Sequence, residues 1–238
     1  MKEIYFIRHG ETEWNKLGLG QGSRNDIPLN KIGEKQAKIT GKYLDDYRQK
    51  DKDFDLIISS PLLRTKKTAE IIAKEIGYKK DIIYMDELKE IDQGLISIGI
   101  KHDELKKDKF YDDFFKWIDM YKKIEDPIEQ SLFYEKNKKL FDKIIKKYEM
   151  EPEEKLQKRV KKVIKFIENT KHIKILVISH GGTIKTINKI LLNSYDGLWG
   201  DMTNGSNCHI TTYTYDKEFK LIALPNTLHF GLYNKTKK

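Results

Sequence analysis

Arg8-His9-Gly10 comes directly after the apolar run Ile4-Tyr5-Phe6-Ile7 and opens an octet that ends at Asn15. A short run of β-branched and aromatic residues reads as a buried strand. The cation and the imidazole therefore arrive at the strand's carboxyl end, the edge of an α/β sheet where ligands bind. There a guanidinium can hold an anion, an imidazole can attack it, and Gly10 lets the backbone come close. A second imidazole, His180, stands in Ser179-His180-Gly181-Gly182-Thr183, just after the unbroken run Ile175-Leu176-Val177-Ile178. A His-Gly-Gly turn between strand and helix sets the ring beside free backbone N–H groups, which favour negative charge. Arg64 falls in the first turn of a helix that follows another strand, so its side chain can point back to the same edge.

Strands must deliver these groups, and helices must cover the strands. Residues 17–28 are rich in Gly, Asn, Asp and Ser and read as an ordered loop near the site. Asn30 reads as the N-cap of a helix to about Tyr47, with Ile32, Gln36, Thr40, Tyr43, Leu44 and Tyr47 on one side. Residues 54–58 form a second strand. Ser59-Ser60-Pro61 ends it and opens the helix of Arg64, whose inner stripe is Leu62, Ala69, Ile72, Ala73 and Ile76 before Gly77. Residues 81–85 read as a third strand, and the five carboxylates from Asp81 to Asp92 are not distinguished by local pattern. Beyond them Phe110, Phe114 and Ile118, then Phe133, Leu140, Phe141, Ile144 and Tyr148, trace helices without a strand signal. Residues 152–168 form a strong helix, 174–178 a buried strand, and 210–215 with 219–223 a hairpin.

A chain of 238 residues can bury one sizeable core with room for a subdomain. Cys208 is the only cysteine, so no internal disulfide forms. No apolar run approaches the roughly 20 residues of a membrane span, and Met1-Lys2-Glu3 leads into a strand without a signal-peptide core. The expected setting is cytoplasmic, with no membrane partner. The net charge of +9 does not point to nucleic acid, because lysines such as Lys158, Lys161, Lys162 and Lys165 are scattered over the helices without a compact patch. A general attraction for small anions is the milder inference. Nothing in the spacing addresses oligomeric state.

Four stretches stand in the order of the motifs of a known family. They are the octet, Ser60 through Glu70, Asp86 through Gly94, and Ser179 through Thr183, and the chain resembles the histidine phosphatase superfamily, the phosphoglycerate mutase-like enzymes, from residue 4 to about residue 230. The resemblance implies a three-layer α/β sandwich with a mostly parallel central sheet, helices on both faces, and a helical cap insertion. Residues 1–94 and 151–238 would be the core and 95–150 the cap. It also implies the roles: His9 attacks phosphorus to give a phosphohistidine, Arg8, Arg64 and His180 hold the phosphoryl oxygens, and Glu90 protonates the leaving oxygen. Gln21-Gly22 resembles the stretch beside the bound phosphate, and Thr12, Asn15, Gln21, Gly22 and Gly181 would complete the cradle. Asn207 and Asn226-Thr227-Leu228-His229 resemble the closing strands. Two guanidinium forks match phosphate geometry in a way that lysine does not. The scheme needs no cofactor and no metal, and the motif histidines lie far apart without a ligand-spaced cluster.

The implied activity is hydrolysis of a small phosphorylated substrate. A phosphoglycerate mutase-type isomerase is the alternative, and a non-catalytic phospho-ligand binding module on the same fold is a third reading. The cap departs from the mutase pattern, being rich in Lys and Phe and lacking Arg- and Pro-rich insert motifs. Glu151-Pro152-Glu153-Glu154 stands where many relatives carry a Gly-Glu-Ser turn. The departure of the cap favours the phosphatase, and that of the turn, which normally helps shape the substrate pocket, bears on which metabolite is bound.

Overall fold

Alternation along the central strands decides which helices cover each face of the sheet. In the computed structural model, which describes residues 1–47, 53–97, 107–124, 127–193 and 206–234, β1 spans Lys2–Arg8. It sends Ile4 and Phe6 to one face and Tyr5 and Ile7 to the other. β2 (Leu56–Ser59), β3 (Ile83–Tyr84) and β4 (Lys174–Ser179) run parallel to it, and every residue of β2 and β4 is buried. The antiparallel β5 (Ile210–Asp216) and β6 (Glu218–Asn226) complete the order β3-β2-β4-β1-β5-β6. Buried on both faces, β2 and β4 read as continuous apolar runs, as central parallel strands do.

A short α1 (Glu13–Lys16) follows the octet. On the Tyr5 face lie α2 (Lys31–Tyr47) and α3 (Leu63–Glu75), which bring Leu44, Ala69 and Ile72 against Ile7, Ile57 and Leu176. Next in the chain come α4 (Lys109–Lys122) and α5 (Pro127–Lys147), which pack on each other. The Phe6 face is covered by α6 (Glu153–Asn169) and α7 (Gly181–Leu191), through Val160, Val163, Ile184 and Ile187. The terminal α8 (Leu228–Asn234) packs on α2. Tyr111, Ile144 and Tyr148 gather Phe110, Phe133, Leu140 and Phe141 into a separate apolar cluster. The side chains of Phe114 and Ile118, and residues 98–106 and 125–126 of the same stretch, lie outside the described residues.

Several expected elements differ in detail. The third strand shrinks to two exposed residues, because at the sheet edge only β2 pairs with it. Ile32 is 51% exposed, and the inner face of α2 is instead Gly33, Ala37, Thr40 and Leu44. α3 begins at Leu63, after Ser60-Pro61, and has no side-chain cap. Leu228 and His229 are helical and do not extend a strand.

Backbone contact ties α2 to the octet. A Cβ on Gly33 would lie 2.1 Å from the Glu11 carbonyl oxygen, and one on Gly10 would lie 2.5 Å from the Gly33 oxygen. Helix propensity alone favours alanine over glycine at position 33 by roughly 0.5–1 kcal/mol. The overlap is with backbone that cannot rotate away, and overpacking of this kind costs about 1–3 kcal/mol. Gly33→Ala should therefore lower the urea midpoint and also reduce turnover, by shifting the loop that carries His9. An unchanged midpoint together with normal turnover would refute this account of the contact.

Candidate active site

The parallel pairing that sets Arg8 opposite Ser179 brings the next residue of each strand end, His9 and His180, side by side. Their ring centroids are 5.2 Å apart, at 61°. The His9 N–H donates to the Ser179 carbonyl at 3.0 Å, and its own carbonyl accepts from Asn207 Nδ2 at 3.0 Å. Nδ1 lies 2.7 Å from the Gly10 carbonyl oxygen. A carbonyl only accepts, so Nδ1 carries the proton and Nε2 keeps its lone pair. Burial first, then the Arg64 and Arg8 cations, holds this imidazole well below its ordinary pKa of 6.5. At neutral pH His9 is therefore an uncharged ring with a nucleophilic nitrogen.

Arg64 enters from the first turn of α3 and is fully buried. Nη1 donates to the Asn25 carbonyl at 3.0 Å, Nη2 to that of Gly22 at 2.8 Å, and Nε to His180 Nδ1 at 3.2 Å. None of these partners is a carboxylate, and two of the five guanidinium N–H donors remain for another acceptor. Burial lowers its pKa to about 10, which leaves it charged. Because a guanidinium only donates, His180 accepts at Nδ1 and carries its proton on Nε2, which lies 2.9 Å from Ser60 Oγ. Burial and then the Arg64 charge hold His180 well below its ordinary value as well. A ligand oxygen that takes the His180 hydrogen bond must displace Ser60. The partly buried Arg8 guanidinium lies over Gly181, where a Cβ would sit 3.5 Å from its Nε. Burial lowers the Arg8 pKa, and the Glu90 charge works in the opposite direction.

Glu90 follows a 3₁₀ turn at Asp86–Leu88 and meets the first turn of α7. Its Oε1 accepts from the N–H groups of Thr183 at 3.1 Å and Ile91 at 3.0 Å, and its Oε2 from that of Gly182 at 3.3 Å. The Gly-Gly turn does favour negative charge, and part of that capacity is taken by Glu90. Gly182 has no room for a side chain there, since a Cβ would sit 2.8 Å from Glu90 Oε1. The Gly181 N–H, one residue earlier, is not engaged by any described residue.

The remaining expected residues divide between shaping the loop and facing inward. Thr12 Oγ1 accepts the Asn15 N–H at 3.1 Å, and Asn15 Oδ1 accepts from the Thr12 N–H at 3.2 Å and from Asn207 Nδ2 at 3.1 Å. This reciprocal cap builds α1, and it leaves the Asn15 amide nitrogen as the outward donor of the pair. Gln21 is buried, and its Oε1 has no hydrogen-bond partner among the described residues. Gly22, at φ +53°, gives its carbonyl to Arg64. Three residues without an assigned role in the motifs also build the site. Ser60 holds His180, Asn207 holds the His9 backbone, and Thr68 Oγ1 accepts the Gly10 N–H at 3.0 Å. Their types carry no chemical signal by themselves.

Comparison with known proteins agrees with this arrangement of elements. The model of the histidine phosphatase superfamily (branch 1) matches residues 4–152 and 128–227. The chain belongs to the histidine phosphatase superfamily. Members of this superfamily are phosphatases and mutases. The chain is 45% identical over 94 residues, 40% of its own length and 45% of the other's, to an uncharacterized phosphatase, PhoE, of Bacillus subtilis (strain 168). It is 43% identical over 96 residues, 40% of its own length and 41% of the other's, to a probable phosphoglycerate mutase, GpmB, of Salmonella choleraesuis. These matches span less than half of either relative. A solved phosphoserine phosphatase mutant of Entamoeba histolytica, in complex with phosphoserine, superposes with a TM-score of 0.69 at 26% identity, covering 96% of this chain and 99% of that one. A phosphoglycerate mutase from Bacillus anthracis shares the fold, with a TM-score of 0.72 at 22% identity and coverage of 97% and 95%.

Two buried neutral imidazoles link stability to pH. The folded state resists a proton that the unfolded chain accepts near the ordinary value of 6.5, so the unfolded state binds more protons below that value. The contribution of His9 and His180 is thus fully present above about 6.5 and is lost as pH falls from there towards their folded values. Histidine-labelled protein should give neutral imidazole signals at pH 6, with the proton on Nδ1 at His9 and on Nε2 at His180. A charged imidazolium at either position at that pH would contradict the assigned environment.

Proposed function

We propose that the protein is a phosphatase that hydrolyses a small phosphorylated metabolite through a phosphohistidine at His9. The observation that carries this reading is a neutral His9, its Nδ1 proton tied to the Gly10 carbonyl, beside a buried guanidinium that has no carboxylate partner. That combination leaves a nitrogen lone pair next to a cation with N–H donors to spare, which suits attack on a dianionic phosphoryl group. The Nε2 lone pair of His9 bonds to phosphorus as the ester P–O bond breaks, and Glu90 gives its proton to the departing oxygen. Glu90 Oε2 is suited to carry that proton, because it accepts only one bond, at 3.3 Å, whereas Oε1 is held by two backbone amides. Water then attacks phosphorus, Glu90 takes back a proton, and inorganic phosphate and free His9 are released. Arg8, Arg64, the Gly181 N–H and the Asn15 amide would hold the equatorial oxygens, with Gln21 and Gly22 shaping the adjacent wall and Thr12 the loop. The division into a core of residues 1–94 and 151–238 and a cap of residues 95–150 is part of the proposal. It is supported by the separate apolar cluster around Tyr111 and Tyr148. The cap would select the alcohol part of the substrate.

The mutase alternative shares the first step, and the relative named as a probable mutase favours keeping it in view. Purified protein should be assayed against phosphoserine, phosphoglycerate, sugar phosphates and nucleotides, following free phosphate and isomer interconversion together, with and without a bisphosphoglycerate primer. Phosphate release should dominate. His9→Ala should remain folded and lose essentially all turnover, and only the wild type should trap an acid-labile phosphoryl adduct. Isomerisation much faster than phosphate release would overturn the phosphatase in favour of the mutase. Retained turnover in folded His9→Ala would sink the mechanism itself.

Arg64→Lys keeps the charge but loses the fork. An ammonium cannot span the Gly22 and Asn25 carbonyls, His180 and a phosphoryl oxygen at once. Turnover should fall roughly 10²- to 10³-fold, about 3–4 kcal/mol of transition-state stabilisation. A mutant within a few-fold of wild type in kcat would place Arg64 outside the chemistry.

A further inference from the structure

Glu90 is held at one end only by its carboxylate contacts with α7, and residues 89–93 belong to no helix or strand. Their backbone is held by Thr183 Oγ1, which donates to the Lys89 carbonyl at 2.7 Å, and above all by the ion pair of Arg159 on α6 with Glu151 just before that helix. Arg159 Nη1 donates to the Glu87 and Lys89 carbonyls, both at 2.7 Å, and Nη2 to that of Glu90 at 3.2 Å. The same guanidinium grips Glu151 with both faces of its fork, Nε to Oε1 at 2.8 Å and Nη2 to Oε2 at 2.9 Å. All five N–H donors are thereby used. Glu151 closes the frame from the other side, since its N–H donates to the Asp92 carbonyl at 2.7 Å and its Oε2 accepts the Asp92 N–H at 3.3 Å. The two side chains are 15% and 6% exposed.

We infer that Arg159, locked to Glu151, is the positioning residue for the Glu90 proton donor. It fixes the backbone on both sides of Glu90 so that the carboxylate meets the leaving oxygen. The inference rests on the reading of Glu90 as the acid. A buried ion pair is weak support for stability as such, because desolvation offsets much of its attraction. What distinguishes this one is the set of atoms it holds: three carbonyls and an amide within residues 87–92, with the acid in their midst. Glu151 thus has a function in the Glu-Pro-Glu-Glu turn, where sequence comparison suggested only a departure. Lysine at position 159 would supply charge without the five directed donors, and Gln at 151 would keep shape without the charge.

The test compares Arg159→Lys, Glu151→Gln, Glu90→Gln and the double variant Glu90→Gln/Arg159→Lys on two esters. One is β-glycerophosphate, a poor alkoxide leaving group, and the other is p-nitrophenyl phosphate, which needs little acid assistance. Arg159→Lys should lose roughly 10- to 100-fold in kcat on the glycerol ester, the scale expected for a displacement near 1 Å, and only a few-fold on the aryl ester. In the Glu90→Gln background the Lys substitution should cost little more on the glycerol ester, because the group it positions is already disabled. Equal losses on both esters, or a full additional loss in the double variant, would overturn the inference. Should Arg159→Lys fail to fold, the near-isosteric Glu151→Gln carries the same comparison. Selectivity in Glu90→Gln without selectivity in the Arg159 and Glu151 variants would remove the positioning role and leave Glu90 as the acid. No selectivity in Glu90→Gln would remove both, as would a wild type that hydrolyses neither ester.

Discussion

A fully buried guanidinium that hydrogen-bonds no carboxylate among the described residues is the constraint on which this site depends. Burying such a charge costs several kcal/mol unless hydrogen bonds replace water. Arg64 meets that cost with carbonyls from Gly22 and Asn25 and with a ring nitrogen of His180. Those partners come from a loop after the octet and from the N-terminus of α7, while Arg64 itself rides on α3. One side chain therefore joins three parts of the chain. It also fixes which nitrogen of His180 bears a proton, and its field adds to burial in keeping His9 uncharged.

The sheet makes this convergence possible. β1 and β4 are neighbours and parallel, so both strand ends open on the same edge with matched register. The loops leaving that edge are then held by close backbone approach. Gly10 and Gly33 press two backbones together on one side, Thr68 takes the Gly10 N–H from α3, and Gly182 makes room for Glu90 on the other side. In such a setting the electrostatic environment is built before any ligand arrives, which is how preorganised sites stabilise developing charge.

The outer loops are tied with weaker interactions. Arg24 reaches Asp92 at 2.8 Å and Glu149 at 3.1 Å, joining the loop after the octet to the segment after Glu90 and to the end of α5. These groups are a third or more exposed on average, so the pairs contribute little stability. Their value is geometric, because they set the position of the rim relative to the buried cations. Gly94, at φ +59°, packs where a Cβ would collide with the Tyr148 carbonyl at 1.8 Å, so the turn after Glu90 and the C-terminus of α5 meet directly.

Local pattern determined the strands and helices of the core, because apolar period and burial coincide there: residues 174–178 read as a buried strand and are completely buried, and the stripe Leu156, Val160, Val163, Ile164 and Ile167 faces the core. The presence of an imidazole and a cation at the end of β1, and of a second imidazole after β4, was equally legible, since residue type and position at a strand end carry that information. Composition also excluded an internal disulfide. Tertiary structure alone decided what depends on partners distant in the chain. The short length of β3 follows from its place at the sheet edge, and the exposure of Ile32 from Gly33 having to lie against Glu11. The His9 tautomer follows from its neighbour Gly10, but the tautomer of His180, the partners of Arg64, and the holding of residues 87–92 by Arg159 and Glu151 arise from contacts across 39 to 116 residues. No local period or propensity encodes such contacts, because each is a hydrogen bond whose geometry exists only once the sheet has brought its loops to one edge.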